Sequence, residues 1–128
     1  MGPSTEFHVI QGSFRRVVLC GSVALKFARL DCSLGPLAGL EANRLEAEQW
    51  QSVGDDLRLV LCPVLYCSPD YTLLVMQRAE AMPPEIFDAE RAMSLVMGET
   101  TSVDCEFKAE GWGILEGRWV VIDYGNPD

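Results

Sequence analysis

Histidine is almost missing from this sequence: His8 is the only one, and it lies far from any pair of cysteines. A zinc site needs convergent Cys and His ligands at close spacing, so none is expected. The five cysteines (Cys20, Cys32, Cys62, Cys67, Cys105) form an odd set with no repeated C-x-x-C. Cys20 and Cys62 sit inside apolar runs, where a free thiol behaves as a small hydrophobe. Reduced thiols fit a cytoplasmic setting. Cations are scarce too: 10 Lys and Arg stand against 19 Asp and Glu, a formal charge of −9. Direct nucleic-acid binding runs on clustered cations and is not expected. The sequence has no N-terminal apolar leader and no run of about 18 apolar residues, which argues against a signal peptide and a membrane span. Internal repeats and low-complexity stretches are absent as well.

The 128 residues suit one domain, 1–128, and an apolar content of 48% can build a core. The clearest local signal is a hairpin. Residues 16–20 and 23–28 are β-rich runs separated only by Gly21-Ser22, the mark of a tight primed turn. An earlier strand is expected within Phe7–Phe14, interrupted at Gly12. Leu37 to about Val53 is rich in Ala, Leu, Glu and Gln and predicts a helix. Its apolar face is expected to hold Leu40, Ala47, Trp50 and Val53, with Asn43 on the same side, and Gly54-Asp55-Asp56 to end it. Arg58–Cys67, broken by Pro63, predicts an edge strand or two short pieces.

Ser68-Pro69-Asp70 predicts a turn before a buried strand, Tyr71–Gln77. Pro83-Pro84 is expected to open a second helix with Ile86, Ala89, Met93 and Val96 on one face and Gly98 at its end. Thr100–Glu110 is polar and predicted irregular. A second hairpin follows, 112–115 and 118–123 about a Glu116-Gly117 turn. Trp50, Trp112 and Trp119 are expected in the core. Strands gathered around two isolated helices predict an α+β fold with a mainly antiparallel sheet.

Five segments, in order, carry a resemblance to protein kinases. Gly12-Ser13-Phe14-Arg15-Arg16-Val17 is similar to the second half of the kinase glycine-rich loop. Val23-Ala24-Leu25-Lys26 resembles the strand bearing the phosphate-binding lysine, and Glu46 follows 20 positions later, about where the family's helix places that lysine's partner. Leu73–Ala79 resembles the strand entering the adenine-binding hinge, and Val121-Ile122-Asp123-Tyr124-Gly125 resembles the strand leading to D-F-G, with Tyr for Phe. The resemblance covers nearly the whole chain. It implies the N-terminal lobe of a kinase-like domain without a full C-terminal lobe. It further implies a nucleotide pocket built from Gly12, Val17, Ala24, Lys26, Glu46, Met76 and Asp123, with ATP as ligand and magnesium on Asp123.

The departures from that pattern bear on activity. A kinase catalytic loop carries an aspartate base and, about five residues later, a metal-binding asparagine. Glu106 and Gly111 stand at those places here, and glycine has no side chain to coordinate a metal. Arg15 replaces the loop's third glycine and Ile10 its first, hindering close backbone approach to a phosphate. Only three residues follow Gly125, leaving none for an activation loop or a helical lower lobe. Phosphoryl transfer relies on positioning several groups together, so a working transferase is not expected.

These features lead to a non-catalytic, kinase-like binding module acting through a protein partner. The alternatives are a nucleotide-binding pseudokinase or weak phosphotransferase, and an acidic inhibitor that occupies a basic groove on its partner. An apolar face left where a lower lobe normally packs would favour a homodimer. Each site residue also has a plainer role: Lys26 on the solvent face of its strand, Glu46 exposed like Glu41 and Glu48 on the same helix, Asp123 capping a turn. The feature that decides is the pocket between Lys26, Glu46, Met76 and Asp123, open or filled by Arg15 and Met76.

Overall fold

In the computed structural model, which describes residues 8–31, 35, 37–96 and 105–124, the Gly21-Ser22 signal becomes a two-residue hairpin. Strands β2 (Arg15–Cys20) and β3 (Val23–Ala28) pair antiparallel, with Cys20 opposite Val23. Gly21 carries the positive φ, 58°, that a primed turn demands at its first central residue. β1 (His8–Gln11) joins the outer edge of β2, and a tight loop led by Gly12 links them, its N–H bonded to the Arg15 carbonyl at 2.8 Å.

β3 pairs on its other side with β5 (Leu73–Gln77), and β4 (Val64–Cys67) closes the sheet in the order β1-β2-β3-β5-β4. β5 begins two residues later than Tyr71 because Tyr71 itself has a positive φ of 64°. Pro63 splits the preceding run as expected: Leu61 makes an isolated bridge to Val121, and β4 starts after the proline.

Helix α1 (Leu37–Ser52) crosses this sheet. Its buried residues are Gly39, Ala42, Asn43, Glu46 and Ala47, a run of three- and four-residue steps along one face. The expected face was centred on larger side chains, and Leu40 and Trp50 are only partly buried. Small residues win because the helix approaches the strands closely: a Cβ on Gly39 would lie 2.4 Å from the Phe14 carbonyl oxygen. Gly54 ends the helix region and leads into a one-turn helix, α2 (Asp55–Arg58), beyond the two helices expected.

The remaining strands, β6 (Glu80–Ala81), β7 (Trp112–Leu115) and β8 (Arg118–Val121), form a second antiparallel sheet in that order, where one sheet was expected. β7 and β8 turn through Glu116 and Gly117, both at positive φ. β6 is two residues long and carries no apolar pattern a sequence reading would detect. Helix α3 (Ala89–Val96) starts after the two prolines, not at them. The Asp88 carboxylate accepts the Glu90 N–H at 3.0 Å and sets its first turn, while residues 83–86 make a separate turn. Ala92 and Val96 face inward, whereas Ile86 and Met93 are exposed. Gly98, Gly125 and residues 100–104 of the polar stretch lie outside the described residues.

The core runs through both sheets: Leu61, Leu74, Met76, Trp112, Val120, Val121 and Tyr124 are all at most 1% exposed. Trp112 and Trp119 pack edge to face and Phe87 contacts both rings, and the Arg91 guanidinium covers Trp119 at 4.1 Å. Cys20, Cys62 and Cys67 are free thiols. Among the described residues, no helix is long and apolar enough to cross a membrane.

Candidate functional site

Period-two geometry puts Arg15, Val17 and Leu19 on one face of β2, and Ala24 and Lys26 on the same face of β3. Cross-strand register then makes two rows: Val17, Lys26 and Leu74 in one, Leu19, Ala24 and Met76 in the next. α1 covers the Lys26 end of this face and leaves the rest to border a cleft of about 1150 Å³. Residues 77–82, Glu106 and residues 108–112 line it as well, together with Ile122 and Asp123. Gly12, Val17, Ala24, Lys26, Met76 and Asp123 all line the cleft, and Glu46 lies buried beneath it.

Lys26 is on the inner face, 6% exposed, so the solvent-facing role fails; Phe27 takes the outer face. Its ammonium donates to Glu46 Oε1 at 2.9 Å and to the Ile122 carbonyl. Glu46 is fully buried, while Glu41 and Glu48 pair with Arg44 on the outer side of the helix. Asp123 does not simply cap a turn: its Oδ1 accepts from Arg15 Nη2 at 3.0 Å, with its side chain 55% exposed to the cleft.

The residue whose role sequence reasoning missed is Arg15. Its guanidinium reaches down from the glycine-loop position and binds Glu46 in a fork, Nη1 to Oε1 at 2.8 Å and Nη2 to Oε2 at 3.2 Å. Nη1 also donates to Asn43 Oδ1 at 3.1 Å. Asn43 in turn donates to the carbonyls of Lys26 and Tyr71, fixing α1 to the sheet. The fourth contact on Glu46 is the Tyr124 N–H, at 2.8 Å from Oε2. Two cations and a backbone donor thus converge on one carboxylate. The spacing of Asn43 and Glu46 on one helix face and of Arg15 and Val17 on one strand face was the available signal.

Burial alone would raise the Glu46 carboxyl, but the Arg15 guanidinium and the Lys26 ammonium overcome it and bring it down to about 2. Lys26 is lowered as well, first by burial, with the Arg15 charge adding to it and Glu46 and Asp123 opposing. Desolvation raises the Asp123 carboxyl, with Lys26 and Arg15 opposing and the Glu46 charge adding to it. Below the cleft, burial pushes the Cys62 thiol up to about 11, and the Tyr124 hydroxyl donates to the Cys62 carbonyl at 2.7 Å.

Against the two outcomes foreseen for the pocket, the geometry gives one at each end. Arg15 fills the end nearest Glu46 and Asp123, and the space beyond Ala24 and Met76 is open. At the catalytic-loop positions, the Glu106 carboxylate pairs with Lys108 at 2.6 Å. Gly111 offers no side chain.

No protein-family model and no curated protein matches the chain. Among solved structures, the chain is similar to a choline/ethanolamine kinase family protein from Mesorhizobium loti, with a TM-score of 0.62 at 13% identity. The match covers 97% of this chain and 59% of that one, so the chain spans somewhat more than half the length of its structural neighbour. At that identity the likeness is one of fold: a kinase-like α+β arrangement with a mainly antiparallel sheet.

Proposed function

We propose that this chain is a pseudokinase-like module that binds a nucleotide in the cleft without transferring its phosphoryl group. The observation that carries the reading is the buried Lys26–Glu46 ion pair at the base of a cleft of about 1150 Å³, with Asp123 beside it. Small-molecule pockets measure on the order of 300–1,000 Å³ and join apolar walls to a few fixed polar groups. Val17, Ala24 and Met76 supply the apolar walls for a base, and Lys26 supplies a fixed cation for a phosphate. Transfer lacks one of its usual groups, since Gly111 has no metal-binding side chain, and a glutamate, Glu106, in a surface pair with Lys108, stands in place of the aspartate base.

Action through a protein partner is compatible with this reading and equally non-catalytic. The nucleotide reading is favoured because convergent polar groups gather in the cleft. Calorimetric titration with ATP and ADP tests it, run beside Lys26→Met. Binding that weakens at least tenfold in the variant supports the proposal. Absence of heat at millimolar nucleotide, or an unchanged affinity in Lys26→Met, overturns it.

A further inference from the structure

The kinase-like fold implies a divalent cation, and the residues around Asp123 do not fit one. A magnesium ion takes carboxylate and other oxygen ligands in a near-octahedral set. Here Asp123 Oδ1 already accepts a charged guanidinium N–H from Arg15 at 3.0 Å. The place where the resemblance puts a second metal ligand holds Gly111. No group of three or more His, Cys, Asp and Glu side chains capable of holding a metal occurs among the described residues.

Arg15 also makes the local charge balance. Its four terminal N–H bonds go to Asn43, twice to Glu46, and to Asp123. With Lys26 on Glu46, the cluster holds two cations and two carboxylates and is neutral. A guanidinium is always protonated, and its planar fork suits bidentate contact with carboxylate. A neutral cluster with Asp123 already compensated has no electrostatic demand for a divalent ion.

We propose that Arg15 is a built-in substitute for the divalent cation, so that ligand binding in this cleft is independent of magnesium. The chemical class of ligand is a nucleoside polyphosphate taken up as the metal-free anion, with Lys26 as its cationic contact. The inference rests on the nucleotide reading for its ligand, and its claim about metal stands apart from it.

The test uses the full chain with two readouts. The first is calorimetric titration of ATP in EDTA and in excess magnesium; the expected affinities agree within about twofold, because Asp123 contributes no metal site. The second is binding of manganese alone, followed by its electron-paramagnetic-resonance signal, with no saturable site expected up to millimolar metal. In Arg15→Gln, which frees Asp123, the expectation is saturable manganese binding that a further Asp123→Asn substitution removes. Arg15→Lys keeps the charge and should stay metal-independent, which covers the case in which Arg15→Gln does not fold. ATP binding by the unaltered chain that needs magnesium, or a saturable manganese site lost in Asp123→Asn, overturns the proposal. If ATP fails to bind under either condition, the nucleotide reading falls, while the manganese measurement still decides whether Arg15 excludes the metal.

Discussion

Arg15 and Lys26, eleven positions apart on paired strands, both donate to the same oxygen of Glu46, at 2.8 and 2.9 Å. That shared oxygen explains why a glutamate with no access to water stays ionised, and why the strand, the helix and the Asp123-Tyr124 segment are held together. Removing one member of such a cluster leaves uncompensated charge in a dry place.

The first expected consequence concerns stability. Glu46→Ala leaves buried Lys26 without its carboxylate and Arg15 with Asp123 alone, and should cost about 3–5 kcal/mol in urea unfolding. Glu48→Ala, on the exposed side of the same helix, should change stability by less than about 1 kcal/mol. Equal effects from the two substitutions would contradict the buried cluster.

Acid should act through the same carboxylate. Its folded value is near 2 against an ordinary 4.5, so it contributes stability above the ordinary value and loses it as pH falls from about 4.5 toward 2. The contribution is roughly 3 kcal/mol at neutral pH. Asp123, shifted upward, opposes this in part. Unfolding free energies between pH 6 and 2.5 should therefore converge for the unaltered chain and Glu46→Gln; a constant difference across that range would be contrary.

Close packing of α1 on the sheet predicts a sharp contrast between two glycines. Gly39→Ala places a Cβ 2.4 Å from the Phe14 carbonyl oxygen and 2.9 Å from Ala28 Cα, so backbone must shift. The expected cost is about 1–3 kcal/mol or more. Gly54→Ala meets nothing within 4 Å at an ordinary φ of −77° and should be nearly silent. Thermal denaturation of the two variants makes the comparison.

Thiol chemistry gives an independent check on the core. Cys62 is 1% exposed, with its thiol pushed up to about 11. It should resist maleimide in the folded protein and react on unfolding, whereas Cys20 and Cys67 are partly accessible. Peptide mapping after brief labelling reads this directly, and early modification of Cys62 would contradict the packing.

Much of the fold was legible where local chemistry decides it. Gly21-Ser22 and Glu116-Gly117 fix their hairpins through backbone conformation, and the 37–52 helix follows from propensity. The site was legible as far as the strand period and the kinase-like order of segments reach, which brought Lys26, Glu46 and Asp123 together. What escaped was tertiary. Arg15 looked like an obstruction at a glycine position, because nothing local says that a long side chain will turn inward to a carboxylate 31 residues away. The start of α3 was misplaced for a similar reason: two prolines tolerate a first helical turn, but the Asp88 carboxylate captures it later. β6 pairs through its backbone alone, so its two residues carry no pattern.

The most direct test of the central claim is amide chemical-shift mapping of ATP binding in EDTA by NMR. Perturbations should cluster at Val17, Ala24, Lys26, Met76 and Asp123, the residues bordering the cleft. Shifts confined to the outer side of α1 and to Asp55-Asp56, or no saturable shifts, would contradict the account.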